Sequence, residues 1–163
     1  NSLTEIIKGA RVEELPERIS DLLTKVKDIE KELATLRSAQ AMGQIATLAE
    51  TAQIIAGTST ITAHLSNGIT GEDLRKIALD LKSRAPQSVV ALISVNEGKP
   101  VLVVAVSDAA KAIGLKAGAL VKIGSTLLGG GGGGKDDFAQ GGGTDSDKSQ
   151  DALAAIVDSI AGK

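Results

Sequence analysis

The sequence predicts an α+β fold: a long N-terminal heptad helix, either coiled coil or helical hairpin, followed by a small α/β domain with a mixed sheet and a glycine-rich loop. Three observations carry this prediction. Apolar residues recur in alternating steps of four and three from Leu15 to Leu36, the period falls to two beyond Thr58, and two glycine clusters precede a last amphipathic stretch. The expected boundaries are 1–57 for the helical or coiled-coil segment and 58–163 for the globular domain.

Leu15, Ile19, Leu22, Val26, Ile29, Leu33 and Leu36 form the heptad seam. Pro16 suits a first helical turn, where its missing N–H is an orphan donor anyway, and Glu13, Glu14 and Glu17 suit the positive end of the helix dipole. Further on, the seam meets Gln40 and Gly43, then the small residues Ala46, Ala49 and Ala52, before Gly57 ends the signal. A helix from Leu15 to Ile55 would be roughly 60 Å long at ~1.5 Å per residue. Its apolar stripe needs a cover: either a second chain or a fold-back onto residues around Ala46 to Ile55. The interruption at Gln40 and Gly43 favours the fold-back.

Ile61, Ala63 and Leu65 alternate as on a strand, with His64 on the face of Thr62, and Asn67-Gly68 marks a turn. Thr70 is placed to cap a helix with Asp73 in its first turn and Leu74, Ile77, Ala78 and Leu81 along one stripe. Val89 to Val95 and Val101 to Val106 read as a hairpin buried on both faces, turning at Asn96-Glu97-Gly98-Lys99, with Pro100 at a strand start. Ala109 to Leu128 is predicted helical with a break near Gly114, and Leu153, Ile156, Val157 and Ile160 mark a last helix.

Composition narrows the chemistry. The 163 residues hold no cysteine and one histidine, His64, which excludes a disulfide framework, a thiolate metal site and a cysteine nucleophile. His64 is expected to be a partly exposed structural residue. Phe138 is the single aromatic residue, so bases cannot stack on a set of ring platforms. The net charge of -2 is not that of a strongly basic nucleic-acid binder. Between Leu74 and Lys135, however, lie Arg75, Lys76, Lys82, Arg84, Lys99, Lys111, Lys116, Lys122 and Lys135 against Asp80, Glu97 and Asp108 only. This stretch is either an ordinary solvated surface or a face that neutralises RNA phosphates. No apolar run approaches the ~18 residues of a membrane span. Asn1 in place of an initiating Met fits a piece cut from a larger protein and equally a cloning boundary.

Gly129 to Gly134 is followed by Lys135-Asp136-Asp137-Phe138-Ala139-Gln140 and then by Gly141 to Gly143. So many glycines are costly to order, which favours a loop whose bare amides lie against phosphate or sugar; a tight packing loop is the plainer alternative. The spacing from Gly129 to Gly134-Lys135 imitates a P-loop, but Asp136 stands where a magnesium-binding hydroxyl is needed and a helix precedes it. Asp136 and Asp137 with Asp145 and Asp147 match no calcium-loop spacing, and the latter pair is better explained by the start of the last helix.

The glycine run followed by Asp137, Ala139, Gln140, Gly142 and Gly143 resembles the signature of the Asp-His-His-associated domain at the C-terminus of alanine–tRNA ligases. Lys135, Asp136, Phe138 and Gly141 depart from its usual arginine, proline, methionine and alanine. The segments Val101–Ser107 and Gly114–Gly118 resemble that family too, and the heptad helix resembles its coiled-coil linker. The resemblance implies a binding and oligomerisation module that couples aminoacylation to editing through bound tRNA. It also implies a cytoplasmic setting, no cofactor in this segment, and a parent enzyme using ATP, magnesium and zinc elsewhere. Expected nucleic-acid-binding residues are Gly130, Gly131, Gly132, Gly133, Gly134, Lys135 and Gln140; no catalytic or metal residue is expected. On this reading Gly132→Val blocks backbone approach without changing charge. Expected partners are tRNA and, through the heptad helix, a second copy, with no membrane. The alternative is the substrate-binding domain of an Asp-His-His phosphoesterase, against which the leading helix and the lack of a histidine after the glycines both count.

Overall fold

A computed structural model describes residues 15–162, so the expected roles of Glu13 and Glu14 lie outside the described residues. Helix α1 (Leu15–Gly43) carries the seam. It stops at Gly43 instead of reaching Ile55: a second short helix, α2 (Ile45–Glu50), follows, and Gln53–Ile55 form strand β1. Ala56 and Gly57 both adopt positive φ and turn β1 into β2 (Thr58–His64). Residues 45–55, divided between α2 and β1, therefore do not form the single returning helix of the expected fold-back. Its first half is used elsewhere, because Ile45 is buried in the core beneath α3 (Gly71–Ser83). The seam itself is open to solvent, with Ile29 63% and Leu36 61% exposed. By internal contacts the chain divides into residues 1–36 and residues 37–163.

The second unit is built on one six-stranded sheet in the order β1-β2-β3-β4-β6-β5, the additional strands being β3 (Ser88–Asn96), β4 (Lys99–Val106), β5 (Gly131–Gly134) and β6 (Phe138–Gly142). Only β2 and β3 pair in parallel, as their connection through α3 demands. All other neighbours are antiparallel, so the sheet is mixed as expected. The β3–β4 turn has Glu97 at φ 49° and Gly98 at φ 76°, the two positive angles of the two-residue hairpin turn that matches strand twist.

Strands β3 and β4 are buried on both faces because helices cover both. On one side α3 sets Leu74, Ile77, Ala78 and Leu81 against Val90, Leu92, Val103 and Ala105. On the other, α5 (Ala117–Leu127) and α6 (Ser149–Ala161) set Leu120, Val121, Leu153, Ile156 and Ile160 against Val89, Ala91, Ile93, Leu102 and Val104. Gly114, at φ 91°, ends the short α4 (Asp108–Ala112) and separates it from α5. Thr70 caps α3 as anticipated: its hydroxyl accepts from the Asp73 amide at 3.2 Å and donates to the Asp73 carboxylate at 2.9 Å. Asn96 Nδ2 donates to the Ile69 carbonyl at 2.6 Å, fastening the approach to α3 onto the sheet.

Candidate functional site: the glycine hairpin

The glycines do not form a loop. Gly131–Gly134 pair with Phe138–Gly142 in the register Gly131↔Gly142, Gly132↔Gly141, Gly133↔Gln140 and Gly134↔Ala139, making β5 an edge strand composed of glycine alone. Glycine has little strand propensity of its own; here pairing and close packing decide the conformation. The hairpin is anchored mainly through backbone. Lys135 N donates to Phe138 O at 2.9 Å across its tip, Ala117 N to Asp136 O at 2.9 Å, Val106 N to Asp137 O at 2.9 Å, and Gly130 N to Ser125 O at 2.9 Å.

Its two faces differ. A Cβ on Gly132 would lie 2.5 Å from both Gly141 Cα and Val121 Cγ1, and one on Gly134 2.5 Å from Ala139 Cα. These glycines let β5 and β6 settle onto α5. Gly131 and Gly133 point the other way, where an added Cβ meets nothing within 4 Å, and neither has a positive φ. No contact with a described residue requires glycine there. The arrangement leaves a bare strip of peptide backbone on which a ligand can lie at main-chain distance. It also corrects the expectation for Gly132→Val: the valine would clash inside the fold, so that variant perturbs packing before it perturbs any ligand.

Strand β6 borders this strip. Phe138 packs against the core on the α3 side, and Gln140 lies over the start of α3, its Nε2 2.6 Å from where a Cβ on Gly71 would be. Arg75 of α3 sets its guanidinium 4.8 Å from the centroid of the Phe138 ring. Of the seven residues expected from sequence, the structure thus gathers Gly131, Gly133 and Gln140 on one surface. Gly132 and Gly134 face α5, Gly130 enters the strand from α5, and Lys135 is exposed at the hairpin tip. Arg75 was legible only as one of many cations, because its proximity to β6 exists only in three dimensions.

The basic stretch is dispersed. Lys76 pairs with Glu72 at 3.2 Å and Asp73 at 3.7 Å, Arg84 with Asp80 at 2.8 Å, Lys111 with Asp108 at 2.7 Å, and Lys116 with Asp136 at 3.2 Å. Hydrogen bonding to Glu72 raises the Lys76 pKa above the ordinary lysine value; hydrogen bonding to Asp108 does the same for Lys111, with Asp137 and Asp136 adding to it. Lys122 lies on α5, across the sheet from the open glycine strip. The hairpin tip, with Asp136 and Asp137 beside Lys135, has no cationic excess.

His64 ends β2 exposed, beside an open depression of about 350 Å³ between β2 and α6 that Thr62, Gln150 and Asp158 also line. Among the described residues no group of three or more His, Cys, Asp or Glu side chains is placed to hold a metal ion. Asp145 accepts from the Asp147 amide at 3.2 Å and starts the turn Ser146–Lys148 that leads into α6.

The chain is 46% identical to an alanine–tRNA ligase of Paenarthrobacter aurescens over 99% of its own length, and 41% identical to that of Thermobifida fusca over 98%. In both cases it spans only 18% of the relative. Among solved structures it is similar to the C-Ala domain of alanyl-tRNA synthetase from Aquifex aeolicus, at 26% identity and a TM-score of 0.63, with 68% of this chain covering 97% of that one. It shares its fold with part of RecJ from Thermus thermophilus, at 16% identity and a TM-score of 0.56, with 82% of this chain covering 19% of that one. Residues 57–162, the whole run from the turn into β2 to the end of α6, match the DHHA1 domain model, and the chain belongs to that family.

Proposed function

We propose that this chain is the C-terminal tRNA-binding and oligomerisation module of an alanine–tRNA ligase, coupling aminoacylation to editing by holding the tRNA, with no catalysis of its own. The observation that carries the reading is the open glycine strip. Gly131 and Gly133 are free of steric and conformational constraint, so their bareness is accounted for by a ligand surface that approaches the backbone. Similarity to alanine–tRNA ligases over 99% of the chain makes tRNA the ligand of choice. In this proposal Gly130, Gly131, Gly132, Gly133, Gly134, Lys135 and Gln140 form or support the contact, through ribose and phosphate more than through base edges. The seam of α1 pairs with a second copy. ATP, magnesium and zinc belong to other parts of the parent enzyme, which works in the cytoplasm; no helix among the described residues is long and apolar enough to cross a membrane.

The likeness to RecJ speaks for the fold alone, and no feature of the hairpin favours the phosphoesterase reading over this one. Direct titration with folded tRNA and with a single strand of equal length tests the proposal. Tighter binding of the folded tRNA, weakening steeply with salt, is expected, together with no alanylation of tRNA and no ATP hydrolysis by the chain alone. Equal or absent binding of the two RNAs would overturn it.

A further inference from the structure

We propose that Arg75, held over the ring of Phe138 at the border of the open glycine strip, is a phosphate-binding residue for the nucleic acid that lies on Gly131 and Gly133; this rests on the tRNA-binding reading above. Helix α3 carries three acidic residues, and each is engaged by another cation: Glu72 and Asp73 by Lys76, Asp80 by Arg84. Arg75 has no ion pair with any described residue; its partner among them is the ring of Phe138.

A guanidinium held over a ring by cation–π attraction has no charge partner in that ring, and its N–H fork suits a phosphate. The ring therefore fixes the cation without pairing its charge. It also accounts for the single aromatic residue of the chain, which lies partly buried against the core and is unsuited to serve as a base platform.

Position adds to this. On this face α3 packs on β3 and β4, β6 follows outward, and β5 is the edge that no helix covers on the α3 side. Phe138 and Gln140 are two residues apart on β6 and so share a face, and Gln140 pairs with Gly133, which brings the open glycine onto that face. Arg75 and Gln140 thus stand where the helix-covered part of the sheet gives way to bare backbone. The other end of the hairpin offers phosphate less: Lys116 is paired with Asp136, and Lys135 is followed directly by Asp136 and Asp137.

A purely structural Arg75, clamping α3 to β6, would influence stability and leave the electrostatics of RNA binding unchanged. The salt dependence of affinity separates the two roles. With folded tRNA transcript as probe, the slope of log K against log salt is measured for the wild-type chain, Arg75→Ala, Arg75→Lys and Lys122→Ala, each checked for folding by circular dichroism. Arg75→Ala is expected to flatten the slope by about 1 and to weaken binding on the order of tenfold. Arg75→Lys should restore the slope but only part of the affinity, since a lysine keeps the charge and loses the fork. Lys122→Ala, on the opposite side of the sheet, should keep the wild-type slope. A folded Arg75→Ala with the wild-type slope, or a Lys122→Ala with an equal loss, would overturn this inference while leaving the tRNA-binding reading intact. A wild-type chain that does not bind tRNA would overturn that reading and this inference together.

Discussion

Adjacent glycines in β5 should respond in opposite ways to the same substitution. At Gly132 an alanine Cβ would lie 2.5 Å from Gly141 Cα and 2.5 Å from Val121 Cγ1, and β6 cannot retreat because β4 holds its other side. Overpacking of this kind costs about 1–3 kcal/mol. For a folded unit of this size, that corresponds to a fall in Tm of roughly 4–12 °C. At Gly133 the added methyl meets nothing within 4 Å and φ is not positive, so alanine adds no strain and removes freedom from the unfolded chain. A gain of about 0.4–1 kcal/mol is expected. Thermal unfolding by circular dichroism reads both effects. The larger Gly133→Val, still folded, should lose tRNA affinity by tenfold or more, because it raises a side chain from the open strip. Equal destabilisation at the two positions would refute the two-faced hairpin, and a folded Gly133→Val with unchanged affinity would refute the strip as a contact surface.

Ile29→Asp, in the middle of the exposed seam, should convert a dimer to a monomer in sedimentation equilibrium while the circular dichroism of the globular unit persists; a wild-type monomer at micromolar concentration would count against pairing through α1. Thr70→Ala removes the cap of α3 and should cost about 1 kcal/mol in denaturant unfolding, whereas Thr70→Ser should cost much less. The Asp108 carboxyl is held below its ordinary pKa, first by its hydrogen bond to Lys111 and then by the charge of that lysine. A lowered carboxylate pKa contributes stability that is present above the unfolded value and is lost as pH falls through the folded one, so this pair should be intact at neutral pH. Its loss is expected only below the ordinary carboxylate range near ~4, and Lys111→Ala should flatten that acid limb slightly, given how exposed the pair is.

What was legible in the sequence depended on side chains that bear a period or a cap. The seam of α1, the Thr70 cap, the doubly buried β3–β4 hairpin and the break at Gly114 all announce themselves through residue type and spacing. The end of α1 did not, because the small apolar residues after Gly43 suit a helix and a short packed segment equally well; burial of Ile45 beneath α3 decided it. β1 was missed since Gln53–Ile55 is three residues long and has no alternation to read. The glycine strand was invisible as a strand for a more basic reason: without side chains there is no period. Only the positions of Val121 and Gly141 distinguish Gly132, which must be glycine for packing, from Gly133, which need not be. Arg75 needed the sheet order, since nothing local in α3 marks it out from Lys76 or Arg84.

The backbone fastening of the glycine hairpin bears on how tightly a ligand can be held. A run of glycines loses more conformational freedom on ordering than any other sequence, and a flexible glycine loop would lose it at the moment of binding, at the expense of affinity. Here the loss falls during folding. Hydrogen bonds from Gly130, Ala117 and Val106 stitch both ends of the hairpin to α5 and β4, and one from Lys135 closes its tip, before any partner arrives. An incoming RNA would meet a stiff plank instead of a slack ribbon, and its binding free energy would be spared the ordering of six successive glycines.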